Sequence, residues 1–211
     1  MGEVIDVNQA RPAPDVVARA SRVLAEDGVL VMPTDSVYGI GVAATPSNPG
    51  LGRVFSIKRR DRSQTLPWLV AGTGDLDRCG VDVPDWAHDL ASAFWPGALT
   101  LVVHASDVVP PEYRRDDGTI ALRLPDSPLV HELARAVGVP LAVTSANTHG
   151  APSPVSGADL ERRIVTESDL TLDGGPAPEG VASTIVVCTG TEPIVVREGA
   201  IPSASIMEVL G

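Results

Sequence analysis

Apolar positions along this chain follow two periods, and the period changes at glycines and prolines. Between Asp15 and Glu26, Val16, Val17, Ala20, Val23 and Leu24 form a helical stripe closed by Gly28. A second helix is predicted from near Ser47 or Asn48, with Leu51, Val54 and Phe55 inward and Lys58 at its C-terminal end. The stretch "VPDWAHDLASAFWPG" predicts a third, placing Trp86, Leu90, Ala93 and Phe94 on one face and stopping at Pro96-Gly97. In "SPLVHELARAVG" Ser127 reads as the N-cap, Pro128 as the first helical residue and Gly138 as the stop. "SGAD" at 156–159 has the form of a capping-box start, and "SASIMEVL" that of a short final helix.

Short apolar runs predict strands at 29–32, 67–71, 99–104, 119–125, 183–187 and 193–198, and at 140–147 running into a polar turn. In 119–125 the two-residue period puts Ile120, Leu122 and Leu124 on one face and Ala121 with Arg123 on the other. Strands and helices mix without strict alternation. No internal repeat, low-complexity tract or long linker divides the chain, so residues 1–211 are expected to form one domain, α/β or α+β around a twisted mixed sheet.

Composition narrows this picture. The chain has 211 residues, 44 % of them hydrophobic but only 3 % aromatic, so Val, Leu, Ile and Ala must build the core. Twenty glycines and nineteen prolines predict many tight connections. The formal net charge of −11 opposes tight binding to nucleic-acid backbones. Cys79 and Cys188 lie far apart, and the four histidines never pair at metal-ligand spacing, which argues against a disulfide scaffold or a structural zinc site. No apolar run reaches the roughly 18 residues of a membrane span, and the first fifteen residues lack a leader's apolar core; a cytoplasmic protein is expected.

Candidate chemistry is concentrated in a few places. "VLVMPTDSVYGIGVAA" breaks a buried run with polar residues and then shows Gly39 and Gly41, where a close backbone approach, such as to a ligand, is expected. Gly39-x-Gly41-x-x-Ala44 has the form of a dinucleotide fingerprint, with Asp61 twenty residues after Gly41. The required succession of strand, tight turn and helix is missing, so a Rossmann site is not expected. "SIKRRDRSQTLP" gathers Lys58, Arg59, Arg60 and Arg62 in an otherwise acidic chain, and Lys58 is the only lysine. Such a cluster is either a solvated helix end or an anion site. Arg123 and Arg197 are charges inside apolar strands, each needing an anionic partner: a carboxylate such as Glu198 or Asp126, or a ligand. No nucleophile–base arrangement assembles. The inventory of cations and hydroxyls suits phosphate positioning rather than covalent catalysis.

"PTDSVYGIG", Lys58-Arg59-Arg60, "FWPGALTLV", "ALRLP", "PLAVTSAN", "ASTIV" and "VVREGAIP" occur in the order seen in the YrdC-like family, which the chain resembles over residues 15–202. The resemblance implies an α/β twisted open mixed sheet flanked by helices around a large concave cationic cavity. It implies an L-threonylcarbamoyladenylate synthase, a nucleotidyltransferase that uses ATP, L-threonine and bicarbonate and releases pyrophosphate, within the t6A modification of tRNA. By motif, Thr34, Tyr38, Arg123 and Thr144 are expected around threonine. Lys58, Arg60, Ser145, Asn147, Ser183, Thr184 and Arg197 are expected around ATP, with Lys58 and Arg60 catalytic. Mg²⁺ would accompany the nucleotide with no protein ligand assigned, residues 59–66 would form a lid, and a downstream threonylcarbamoyl transferase would receive the product. Asp61 stands where the family has proline and Val187 where it has aspartate, and the extra C-terminal domain of longer members is not expected. The alternatives are a carbamoyl-transfer relative, a non-catalytic RNA- or nucleotide-binding module, and an inactive paralogue.

Overall fold

A computed structural model describes residues 2–61 and 64–211; Arg62 and Ser63, within the expected lid, lie outside the described residues. All strands among the described residues join one sheet. In chain order they are β1 (Glu3–Asp6), β2 (Leu30–Met32), β3 (Gly39–Ala43), β4 (Trp68–Leu69), β5 (Gly80–Val81) and β6 (Leu99–Ala105). β7 (Thr119–Arg123), β8 (Leu141–Ser145), β9 (Leu170–Asp173), β10 (Thr184–Val187) and β11 (Ile194–Arg197) complete it. The spatial order is β1-β9-β2-β3-β8-β4-β7-β6-β10-β11, with β5 alongside β6. Parallel pairs such as β4/β7 and β6/β10 stand beside antiparallel ones such as β3/β8 and β6/β7, so the sheet is mixed, as expected.

The helices are α1 (Pro14–Ala25), α2 (Pro49–Lys58), α3 (Asp75–Cys79), α4 (Asp85–Phe94), α5 (Pro128–Val137), α6 (Arg162–Glu167) and α7 (Ser203–Leu210). Their ends follow local chemistry. Asn48 accepts the Gly50 N–H at 2.8 Å ahead of Pro49 and so starts α2. Ser127 accepts the Val130 N–H ahead of Pro128, and Gly138 ends α5 at φ 73°, a conformation that favours glycine. Two expectations need correction. In α4 the buried positions are Ala87, Leu90 and Ala91, while Ala93 is exposed, because Trp95 beyond the helix turns inward and donates to Leu99 O at 2.7 Å. "SGAD" is a single 3₁₀ turn; the Ser156 hydroxyl donates to the Asp159 carboxylate instead of capping a helix.

Two cores lie on opposite faces of the sheet. Val31, Ile40, Val42, Leu101, Leu122 and Val186 face one way, toward α2, α4, α6 and α7. Leu30, Met32, Leu141, Val143, Leu170 and Leu172 face the other, toward α1 and α5. Two helices about 10 Å across cover about four strands spaced at 4.8 Å, whereas this sheet is ten strands wide. The second face is therefore covered only in part.

Candidate functional site

The uncovered part of that second face is the floor of a cavity of about 370 Å³. Leu69 and Val143 belong both to the α1/α5 core and to the cavity wall, and so mark the border. Beyond them the same parity continues through Arg123, Ala121 and Thr119 of β7, Thr100 and Val102 of β6, and Ile185 and Val187 of β10. The register orders the floor along the strands. Leu69 pairs with Arg123, Ile185 with both Thr100 and Arg197, Val102 with both Ala121 and Val187. One end of the cavity is thus a basic, hydroxylic row and the middle is apolar. Arg115, Asp117 and Thr189 also line it, near the chain positions where β7 begins and β10 has ended.

The wall opposite β10 is the connection between β2 and β3, stiffened by Thr34. Its hydroxyl donates to Val37 O at 2.7 Å and accepts from the Ser36 and Val37 N–H groups. Gly39 and Gly41 of β3 meet a different neighbour from the one expected. A Cβ on Gly41 would lie 2.3 Å from Ala142 O, and one on Gly39 would lie 2.5 Å from Val143 Cγ1. The close approach at these glycines is made by strand β8, although Gly39 also reaches the cavity wall.

Three arginines crowd the basic end, in different states. Arg60 donates to Thr144 Oγ1 at 2.9 Å and to Thr65 O, and its Nε is buried with no hydrogen-bond partner among the described residues. Arg197 donates to the Ser183 carbonyl at 2.8 Å and to its hydroxyl at 3.1 Å. Among the described residues neither has a carboxylate partner. Arg123 does: its Nη2 donates to Asp35, its Nη1 to Ser36 Oγ at 2.7 Å and its Nε to Gly97 O at 2.9 Å. Asp126 contributes only its backbone N–H, which Asp35 accepts, and Glu198 instead accepts from Ser203 at the start of α7. Arg123 thus has a structural carboxylate partner, supplied by Asp35 in place of Asp126, while Glu198 does not serve Arg197. Burial lowers the affinity of Arg60, Arg123 and Arg197 for their protons, and the Arg123 charge adds to the effect on Arg197.

Of the residues expected at the site, Thr34, Tyr38, Arg60, Arg123, Thr144, Ser145, Ser183 and Arg197 line the cavity. Lys58, Asn147 and Thr184 do not. Lys58 is almost wholly buried; its Nζ donates to Ser145 O, to Asn147 O at 2.8 Å and to Asn147 Oδ1 at 3.2 Å. All three ammonium protons are thereby used behind the cavity wall. Burial, and secondarily the Arg60 charge, lower its pKa to about 8. Asn147 also accepts from Ser145 Oγ and donates to Ala151 O, which closes the turn after β8. Thr184 sits one residue on from Ser183 and so on the opposite face; its hydroxyl donates to Ile201 O and accepts from Gly199 N and Ile201 N. Tyr38 reaches the wall, but its hydroxyl belongs to the turn after β9. There it meets Asp173 Oδ1 and Gly175 O and accepts from Gly174 N, and burial pushes the phenol up to about 12.

Sequence reasoning missed Asp35, Ser36 and Thr100. Thr100 was visible as a polar residue inside the apolar run "LTLVV"; it is buried, and its hydroxyl lies 2.8 Å from that of Ser183. Asp35 was visible among the polar residues that break the run at 29–44, but nothing local marked its partner, which is 88 residues away. Val187, where the family has aspartate, adds to the apolar middle of the cavity. Among the described residues no three His, Cys, Asp or Glu side chains gather to hold a metal, and Asp117 is the carboxylate on the cavity wall. Among those residues no helix is long and apolar enough to cross a membrane.

A family model described as Sua5_yciO_yrdC, "Telomere recombination", matches residues 22–199. A Mycobacterium tuberculosis protein is 39 % identical over 183 residues, covering 87 % of this chain and 83 % of the relative. The threonylcarbamoyl-AMP synthase of Bacillus subtilis is 34 % identical over 200 residues; the alignment covers 92 % of this chain but 56 % of that one. The structure of Pyrococcus abyssi Sua5 in complex with L-threonine superposes with a TM-score of 0.90 at 31 % identity, covering 99 % of this chain and 61 % of that one.

Proposed function

The chain belongs to the Sua5/YciO/YrdC family, and from that premise we propose that it is an L-threonylcarbamoyladenylate synthase, a nucleotidyltransferase. It joins L-threonine, bicarbonate and ATP into threonylcarbamoyl-AMP and pyrophosphate for the t6A modification of tRNA. The observation that carries this reading is a cavity holding two arginines without carboxylate partners beside a third that is buried and rigidly tethered. Relatives named for this activity and a threonine-bound neighbour of the same fold support it.

In this reading the triphosphate lies against Arg60 and Arg197, with the hydroxyls of Ser145 and Ser183 on its oxygens. The threonine carboxylate takes the N–H groups of Arg123 left after its three protein contacts, with Thr34 and Thr144 on either side. Tyr38 acts by holding the β9 turn against the wall. Lys58, Asn147 and Thr184 act from behind, by fixing Ser145 and Ser183. The apolar middle around Val102, Ala121 and Val187 receives the nucleobase.

The threonine amine and bicarbonate condense to a carbamate with loss of water. A carbamate oxygen then attacks the α-phosphorus in line as the bond to the β-phosphate oxygen breaks, and pyrophosphate leaves with that electron pair. The protein contributes proximity and charge compensation, with no covalent intermediate. The residues present do not fit a protein-held Mg²⁺, which asks for one or two well-placed carboxylates; the ion enters as part of the Mg·ATP substrate. The reading takes residues 1–211 as one unit, supported by the single sheet that contains every described strand. It places the enzyme in the cytoplasm, without tight nucleic-acid binding, and has it pass its labile product to a threonylcarbamoyl transferase.

The test is pyrophosphate release by purified protein, with ATP, L-threonine and bicarbonate omitted one at a time. Release should require all three. Release without threonine, or turnover on carbamoyl phosphate in place of threonine and bicarbonate, would defeat the assignment.

A further inference from the structure

The basic end of the cavity is divided by how its charges are compensated. Arg60 and Arg197 rest on neutral oxygens, whereas Arg123 is locked in an ion pair with Asp35 whose two side chains are 7 % and 5 % exposed. The pair is held from both sides. Asp35 Oδ2 accepts the Asp126 N–H at 3.0 Å, and Ser36 Oγ and Gly97 O accept the Nη1 and Nε protons of Arg123. Asp35 itself is absent from the cavity wall, which Arg123 and Ser36 line.

We propose that Asp35 is a positioning residue that partitions the cavity's charge, so that Arg123 takes one carboxylate and the polyphosphate is left to Arg60 and Arg197. The proposal rests on the functional reading above and adds the residue that keeps its two anionic substrates apart. A guanidinium so paired keeps its remaining N–H groups, which recognise a carboxylate by direction. Its net charge is cancelled, and with it most of the attraction it exerts over several ångströms, where a multiply charged phosphate chain gains most. The need for such partition follows from proximity. Arg123 and Arg197 stand on one row of the sheet, through Thr100 and Ile185. Without Asp35 the threonine pocket would offer a third unopposed cation to pyrophosphate or ATP.

The experiment titrates inorganic pyrophosphate and L-threonine separately into the wild-type protein and Asp35→Asn by calorimetry. The variant should bind threonine about tenfold more weakly, because the guanidinium loses its tether. It should bind pyrophosphate about fivefold more tightly, because one positive charge is uncovered. A fall in both affinities, or an unchanged pyrophosphate affinity, would overturn the proposal, since a merely structural role moves both in one direction. Ser36→Ala removes a tether and no charge: threonine affinity should fall while pyrophosphate affinity stays the same. Tighter pyrophosphate binding in that variant would refute the charge account even if Asp35→Asn failed to fold. A wild-type protein that binds no threonine defeats the functional reading. A wild type that binds it, with no opposed shift in Asp35→Asn, defeats this proposal alone.

Discussion

Leu141, Leu69 and Arg123 stand in one row on the same face of the sheet, yet the row ends in opposite environments. Leu141 is wholly buried beneath α1 and α5, in a core built from leucine and valine. Arg123, beyond Leu69, faces the cavity, where no helix lies. One face of one sheet thus serves two purposes. Where helices cover it, burial of apolar area supplies stability. Where they run out, the same alternation of side chains turns Thr100, Val102, Ala121, Ile185 and Val187 toward the cavity as a floor for something that is not protein. The covered half is required for folding, and the uncovered half is free to be polar because no core depends on it.

The sharpest break in this comparison comes at Arg123, where the two roles meet. Arg123→Ala leaves Asp35 buried without its cation, and should cost about 3–5 kcal/mol in urea denaturation besides abolishing threonine-dependent pyrophosphate release. Next come two substitutions that separate the halves. Leu133→Ala on the covered side should lose about 2–5 kcal/mol with turnover per folded molecule intact. Val102→Phe on the open side should keep stability within about 1 kcal/mol, because its ring enters empty space, while the ATP KM rises more than tenfold. Wild-type kinetics from Val102→Phe would mean that the apolar middle is not the base site.

A third effect is visible in pH. Lys58 has a lower pKa folded, about 8, than its ordinary 10.5, so the folded state disfavours its charged form. That cost is fully present below pH 8 and is relieved as pH rises from 8 toward 10.5. Measured against Lys58→Met, wild-type stability should therefore climb by at most about 3 kcal/mol across that window. Taking the difference removes the contributions of the buried tyrosines and cysteines, which titrate at high pH and act in the opposite sense. A flat difference would mean that Lys58 is more hydrated than its burial implies.

The smallest effect makes the finest distinction. Thr184→Ala should cost about 1–2 kcal/mol by leaving the Gly199 and Ile201 N–H groups without their acceptor. Ser183→Ala, one residue away, should change stability by less than that and act on the ATP KM. If both behaved alike, the two-face description of β10 would be wrong.

Much of this was legible in the chain. The alternation Ile120-Ala121-Leu122-Arg123 placed Arg123 opposite the apolar side chains, and Ser127, Pro128 and Gly138 marked α5 to the residue. Short exposed β1 and the lone turn of α3 gave no periodic signal, since four or five residues hold too few repeats. At the site, motif order named eight residues that line the cavity but could not separate Ser183 from Thr184, or the wall residues from Lys58 and Asn147 behind them. Local periodicity fixes which side chains share a face, because it depends only on the pleat and the helical turn. Which face is covered, and that Asp35 would meet Arg123 from 88 positions away, was decided by the width of the sheet against the two helices available to cover it, a quantity that exists only once the chain has packed.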